Sequence, residues 1–331
     1  MVKISFNSPF YLISHTAIHE PNDYSVTLAR LSTSDISSLY SIREGIQNGL
    51  LSGCFAVFAR LKLYVNKKSG TVTSYRMGDA GLKVLSNEKF KPALVFLHGF
   101  NGSSKSWSQQ ISYFNENVVI AIDAPGFGES DVVGESMAAI ANETAGLIRN
   151  LNLGPAVIIG HSMGGMQAQI IASTHPDLCA GLVLSCTHKG HAHPFGTPLD
   201  EAVLERLRQR ETMDDAAYGR LRIQKMLARD IAPEIFSFLA SVAGDVRAEG
   251  IMSGGTAMHH LDTTSLLKRI TAPVMILTGE LDIVVSATAG AALRACLPDA
   301  RHIQLAGVGH APYCEDAPQF NAVLSRFLQS I

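Results

Sequence analysis

Gly160-His161-Ser162-Met163-Gly164 sits where the chain changes its periodicity. Ahead of it runs Pro155-Ala156-Val157-Ile158-Ile159, a short β-branched apolar run that predicts a buried parallel strand. Behind it, Gly165-Met166-Gln167-Ala168-Gln169-Ile170-Ile171-Ala172 reads as a helix. A strand, a tight turn and a helix with Gly-x-Ser-x-Gly at the joint is the pattern of a nucleophile elbow. In so tight a turn the positions two before and two after the serine are crowded by backbone, which calls for glycine at 160 and 164. The serine is held in a strained conformation, and its hydroxyl points away from the sheet at a helix N-terminus. There the helix-end N–H groups and the dipole favour developing negative charge. The five-residue pattern is common by chance. Its weight comes from the strand before it, the helix after it and the partners downstream.

Composition bounds what surrounds this turn. A chain of 331 residues is one large domain or a domain with an insertion. With 47% apolar and 17% charged residues it can bury a sizeable core, which argues against global disorder. A net charge of −2 without a basic run argues against a nucleic-acid partner. Cys54, Cys179, Cys186, Cys296 and Cys314 are scattered and never in Cys-x-x-Cys spacing. That pattern predicts free thiols in a reducing compartment rather than a disulfide frame or a zinc site. No apolar run reaches transmembrane length, and the first residues lack the pattern of a signal peptide. The expectation is a cytoplasmic protein without membrane attachment.

Outward from the elbow, the regular pattern extends from residue 59 to the end. Residues 61–65 and 71–75 read as a hairpin around Lys67-Lys68-Ser69-Gly70. Short buried strands are expected at 93–97, 118–122, 156–159, 182–185, 274–278 and 302–305. Helices are expected between them at 106–114, 137–151, 166–174, 287–296 and 317–328. Alternation of this kind implies a mostly parallel sheet covered by helices on both faces. The alternation breaks between Ser185 and Val274, where 199–210, 216–229 and 233–242 look helical. Ile223, Met226 and Leu227, then Ile235, Phe238, Leu239 and Val242, form apolar stripes at helical spacing. Packing accounts for such stripes, and as a block they read as a helical cap inserted above the C-terminal edge of the sheet. The division is therefore a core of 59–187 and 263–331, a cap of 188–262 and an N-terminal extension of 1–58. The extension carries a helix expected from about Ser34-Asp35 towards Gly49 and a His15/His19 pair that lacks a third ligand. It could add a layer to the core or form a homodimer contact.

Two further segments complete a chemical constellation. Gly279-Glu280-Leu281-Asp282 follows the 274–278 strand, and Gly307-Val308-Gly309-His310 follows the last strand. A carboxylate and an imidazole in these loops would meet the Ser162 hydroxyl at one edge of the sheet. Either residue alone could be an ordinary loop side chain, a turn-capping carboxylate or a solvated histidine. Their joint occurrence, each just after its own strand, is what points to Ser162, His310 and Asp282 acting together. The other position for an acid, after the 182–185 strand, holds Ser185-Cys186-Thr187 and offers none. Glu280 is adjacent and takes the minor share. His98-Gly99-Phe100 follows the 93–97 strand, where a backbone N–H is needed to stabilise an oxyanion. The Phe100 and Met163 N–H groups are the expected donors. Asp123-Ala124-Pro125-Gly126-Phe127-Gly128-Glu129-Ser130 reads as a tight loop with Asp123 turning the chain, and it is given no chemical step.

With these motifs quoted, the sequence resembles the α/β-hydrolase superfamily over residues 59–331. The resemblance implies an α/β-hydrolase fold with an inserted helical cap, and a Ser162-His310-Asp282 triad in the chain order of that family. Its style is similar to capped carboxylesterases, enol-lactonases and carbon–carbon bond hydrolases of ring-cleavage products. Serine at the elbow departs from haloalkane dehalogenases and epoxide hydrolases, which carry aspartate there. No tryptophan follows His310, a departure from many ring-cleavage hydrolases.

The resulting expectation is a serine hydrolase acting on a small ester, lactone or related carbonyl compound, with cleavage of a carbon–carbon bond as the alternative. A ligand-binding receptor on the same fold is the competing reading, and it has no need of all three triad residues. The cap would shape an apolar pocket, with His161, Met226, Phe236 and Phe238 as candidate lining. No organic cofactor is implied, since Gly126-Phe127-Gly128 lacks a third glycine in register. No metal is expected either: His188, His191 and His193, like His259-His260, read as loop or pocket histidines.

Overall fold

A computed structural model describes residues 11–14, 27–30, 60–66, 71–78, 91–228 and 231–331 of the chain. The helix expected near 34–49, the His15/His19 pair, Cys54 and the 67–70 turn lie outside these residues. Strands β1 (Tyr11–Ser14) and β2 (Thr27–Arg30) pair antiparallel in a small sheet of their own.

The main sheet has eight strands. The hairpin of β3 (Arg60–Val65) and β4 (Val72–Met77) joins it antiparallel to β6. The other six are β5 (Leu94–Leu97), β6 (Val119–Ile122), β7 (Ala156–His161), β8 (Cys179–Ser185), β9 (Val274–Gly279) and β10 (Arg301–Leu305). These run parallel, in the spatial order β10-β9-β8-β7-β5-β6-β4-β3. The central strands are apolar on both faces because helices cover both. Val95, Ile120, Ile158 and Leu182 point into one core cluster, and Phe96, Ala121, Val157 and Val183 into the other. Within an unbroken apolar run, the two-residue period still sorts side chains to two separate cores.

One face is covered by α2 (Met137–Asn150) and α3 (Met163–Thr174), which place Ile140, Leu147 and Ile171 in the first cluster. The other is covered by α1 (Ser108–Tyr113), preceded by a 3₁₀ turn at Ser104–Trp107, and by the C-terminal helix Ala317–Leu328. Trp107, Ile111, Phe320 and Leu324 belong to that second cluster. The Ser136 side chain accepts the Ala139 N–H and caps α2, as expected for serine at an N-cap.

Between β8 and β9 the chain leaves the sheet and forms α4 (Glu201–Thr212), α5 (Asp215–Gln224), α6 (Pro233–Gly244), α7 (Ala248–His260) and the short α8 (Thr264–Leu267). The sequence reading places three helices here, and α7 and the short α8 are additions to it, α7 the larger. The interior of α7 carries Gly250, Gly254 and Gly255, and glycine costs about 1 kcal/mol relative to alanine inside a helix. Packing explains the exception. A Cβ on Gly254 would touch the Phe100 ring and the Met163 sulfur, and one on Gly255 would collide with Val203. The glycines let α7 lie directly on the loops that follow β5 and β7. Among the described residues no helix is long and apolar enough to cross a membrane, and the described cysteines 179, 186, 296 and 314 are free thiols.

Candidate active site

Ser162 follows the last residue of β7 and precedes the first of α3. Its backbone lies at φ +51°, ψ −117°, a conformation that costs a non-glycine residue about 1–3 kcal/mol and persists only where the surroundings enforce it. The enforcement is visible. The Ser162 N–H donates to Ser185 O at 3.0 Å, and the Thr187 hydroxyl donates to Ser162 O at 2.6 Å. The glycines at 160 and 164 are needed as expected: a Cβ on Gly160 would strike the Gly164 carbonyl, and one on Gly164 would strike that of Leu97. The Ser162 hydroxyl caps no helix N–H and faces His310 Nε2 at 3.1 Å.

His310 Nδ1 in turn lies 3.0 and 3.1 Å from the two Asp282 carboxylate oxygens. Asp282 Oδ1 also accepts the Val284 and Val285 N–H groups at 2.8 and 3.1 Å. Burial acts to raise the Asp282 pKa, but the hydrogen bond and charge of His310, with these two N–H donors, outweigh it. The carboxyl therefore stays below its ordinary value and ionised. The hydroxyl, imidazole and carboxylate form one hydrogen-bonded line, and such a line can move a proton off the serine. Glu280 points elsewhere, accepting the Gly307 N–H at 2.8 Å.

Two residues that the sequence reading did not single out for this task, Glu315 and His161, hold the line in place. Glu315 accepts the Gly309 and Ala311 N–H groups, both at 2.8 Å, and so grips the His310 loop from both sides. His161 Nε2 lies 2.6 Å from His310 O. A carbonyl can only accept, so this nitrogen carries the proton. His161 Nδ1 is buried without a partner, and burial, with the adjacent His310 charge, pushes the pKa down to about 3, which keeps the ring neutral. His98 is pinned likewise: its Nε2 accepts the Ala124 N–H at 2.9 Å, leaving Nδ1–H to donate to Gly99 O at 2.8 Å. Burial lowers its pKa against the pull of Asp123. Such roles leave no mark in a sequence, because each depends on a backbone atom of another segment. The Asp123 loop is a tight one closed by its own backbone bonds, Phe127 N–H to Ala124 O and Ser130 N–H to Phe127 O. The Asp123 carboxylate ties it to other segments by accepting the Ser104 N–H and the Ser74 hydroxyl.

Phe100 stands in the loop that follows β5, and Met163 opens α3 directly after Ser162. As the first residue of α3, Met163 has no intrahelical acceptor. Among the described residues no turn or loop bond uses either N–H.

A cavity of about 360 Å³ opens over Ser162 and His310. His161 and Met226 line it as expected. Phe236 instead faces a separate cleft beside Leu227 and Ile231, and Phe238 lines neither, while Leu239, one turn position on, reaches the cavity. The lining also departs from the apolar expectation: Arg206, Arg222, Lys225, Asp200, His188 and His191 take part. The two histidine groups of the sequence meet at its border. His193 and His259 stack with ring centres 4.2 Å apart. With Asp200 they bring three potential ligand atoms within 4.8 Å of one another.

Comparison with known proteins gives the following. The profile of the alpha/beta hydrolase fold family matches residues 92–317. The biotin biosynthesis bifunctional protein BioHC of Teredinibacter turnerae is 25% identical over 72% of this chain; the match spans 45% of that protein's length. The proposed carbamate hydrolase RutD of Serratia proteamaculans is 28% identical over 72% of this chain and 91% of its own. Among solved structures, a thermophilic esterase from Thermogutta terrifontis superposes with a TM-score of 0.69 at 24% identity, covering 82% of this chain and 99% of that one.

Proposed function

The chain belongs to the α/β-hydrolase fold family, and we propose that it is a serine hydrolase of an ester, lactone or related carbonyl compound. Ser162 is the nucleophile, His310 the general base and Asp282 the group that orients the imidazole. The observation that carries this is the unbroken path from the Ser162 hydroxyl to His310 Nε2 at 3.1 Å and from Nδ1 to Asp282 at 3.0 Å.

In the proposed reaction His310 takes the hydroxyl proton as Ser162 attacks the substrate carbonyl. The ionised Asp282 stabilises the imidazolium. The oxyanion sits against the Phe100 and Met163 N–H groups, a placement supported by their lack of other loop partners and by the N-terminus of α3. Protonated His310 then hands its proton to the leaving group, and water repeats the sequence on the acyl-enzyme. The strained Ser162 backbone and the neutral, hydrogen-bonded His161 are positioning features: they hold hydroxyl and imidazole where the attack needs them.

The same proposal makes residues 188–262 a cap on the core of 59–187 and 263–331. Contact of Gly254 in α7 with Phe100 and Met163 supports it, as does the hydrogen bond from the His310 N–H to Met226 O. A fluorophosphonate tests the nucleophile. Labelling should fall on Ser162, detected by peptide mapping, and should abolish hydrolysis of p-nitrophenyl butyrate. Hydrolysis that persists in fully labelled protein would remove Ser162 from the chemistry.

A further inference from the structure

We infer that the cavity over Ser162 receives a substrate carrying a carboxylate, held between Arg206 and Arg222. This rests on the hydrolase reading above and names its substrate class. Arg206 comes from α4 and Arg222 from α5, and both residues line the cavity. Arg222 is only 8% exposed. Its Nη2 donates to Gln209 Oε1 at 2.6 Å, while its Nε is buried without a hydrogen bond. Arg206 donates from Nη1 to Asn101 Oδ1 at 2.8 Å and lies over the Phe100 ring, 5.0 Å from its centre. Each guanidinium has five N–H donors, and one of each is spent on a described protein acceptor.

Neither arginine is within salt-bridge distance of a carboxylate among the described residues. Their neighbours on the helix surface are: Arg208 pairs with Glu201 and Glu205, and Arg210 with Asp215. The one acid in the cavity lining, Asp200, is turned to His193 and His259, at 3.5 and 3.2 Å. Burial, and then the Arg222 charge, press the Arg206 pKa down to about 10, which leaves it cationic at neutral pH. One buried and one half-buried cation thus face the cavity without a salt bridge among the described residues. Glu205 is a carboxylate that feels the Arg222 charge from outside salt-bridge distance. An anion in the cavity would offset the cost of their desolvation. A carboxylate suits it because planar forks bind carboxylates in pairs of hydrogen bonds. Asn101 neighbours Phe100, so an anion held by Arg206 lies within reach of the same small molecule whose carbonyl meets Ser162. The exposed Lys225 at the rim adds a third positive charge that would attract such a substrate.

The test pairs mono-p-nitrophenyl glutarate with p-nitrophenyl pentanoate, acyl chains of matched length that end in a carboxylate or a methyl group. In the parent protein kcat/KM should favour the glutarate ester by about tenfold or more, the scale of a charged hydrogen bond, and added salt should erode the preference. Arg206→Gln should cut the ratio by a similar factor, and Arg206→Lys should restore part of it. Arg222→Gln should act in the same direction. Because that residue also ties α5 to α4, its melting temperature is recorded, and Arg206→Gln carries the test if it unfolds. A second arm needs no turnover: glutarate binding to Ser162→Ala by calorimetry should weaken about tenfold when Arg206→Gln is added. An unchanged glutarate affinity, or a parent that ranks the two esters equally, overturns the inference. Arginine-dependent glutarate binding in a protein that hydrolyses neither ester and takes no fluorophosphonate would overturn the hydrolase reading instead.

Discussion

The two sides of the cavity treat charge in opposite ways. On the sheet side the carboxylate and the buried imidazoles are tied by hydrogen bonds. Asp282 is matched by His310 and two backbone N–H groups, and His161 and His98 are neutral rings with a hydrogen bond each to a carbonyl. On the helical side two arginines line the cavity without a salt bridge among the described residues, its lining Asp200 being turned to His193 and His259. The sheet side is complete in itself, as the proposed reaction machinery, acting on many molecules in turn, would need to be. The helical side is complete only when something anionic fills it. If this is the right contrast, changes on the sheet side should abolish chemistry, and changes on the helical side should redistribute it among substrates.

The largest expected effect is Ser162→Ala. Loss of a triad member typically lowers the rate by about 10⁴ to 10⁶. Folding should survive, since the hydroxyl touches only His310. Ester hydrolysis within tenfold of the parent would mean that the chemistry does not run on the sheet side. Substitutions in the helices between β8 and β9 come next. Met226→Ala and Leu239→Ala remove apolar lining, and should shift relative kcat/KM between short and bulky acyl groups by about tens of fold, the worth of a methylene or two in a pocket. Phe236→Ala, which faces another cleft, should lower the melting temperature and leave the substrate ranking alone. If Phe236→Ala reorders substrates as strongly as Met226→Ala, the cap acts as a whole and not through its lining.

Acid should then loosen the fold in a direction set by the buried histidines. Burial, with the neighbouring charges of His310 and His191 respectively, takes His161 from 6.5 to about 3 and His188 from 6.5 to about 4. His98 is lowered as well, chiefly by burial. Below 6.5 the unfolded chain takes up protons that the folded chain refuses. Their contribution to stability is complete above that pH and is lost progressively as pH falls towards the folded values. Calorimetric melting temperatures should decline steadily from about pH 7 to about pH 4.5, and His188→Gln should flatten part of the slope. A flat profile in the parent would mean these rings titrate normally. The smallest effect is expected from chelation. The proposed reaction passes no step through a metal, so EDTA should leave ester turnover unchanged. Loss of activity that zinc or manganese restores would bring the His193-Asp200-His259 cluster into the chemistry.

Much of the sheet side is legible in the chain. Gly160, Ser162 and Gly164 announce their turn because its constraints are local, and a backbone that close to itself excludes side chains at two fixed positions. The helix boundaries at 287–296 and 317–328 follow from capping by Ser286 and Asp316. Asp282 and His310 are distant in sequence, but each directly follows a strand, and parallel strands deliver their ends to one edge. The helical side reads less well. Phe238 and Leu239 are equally apolar, and only packing decides that Leu239 reaches the cavity while Phe238 does not. The glycines of α7 argue against a helix until the ring of Phe100 and the side chain of Val203 are seen lying against them.

The sequence by itself determined the sheet, the elbow and the three residues in line, because topology translates strand order into proximity. The tertiary structure alone decided the character of the cavity. Arg206 and Arg222 sit on different helices in a stretch whose acids and bases are intermixed. Which of those charges pair off at the surface and which two line the cavity without a salt bridge depends on how α4 and α5 pack. Net charge and periodicity are blind to that choice, since desolvation and pairing are properties of distance in space.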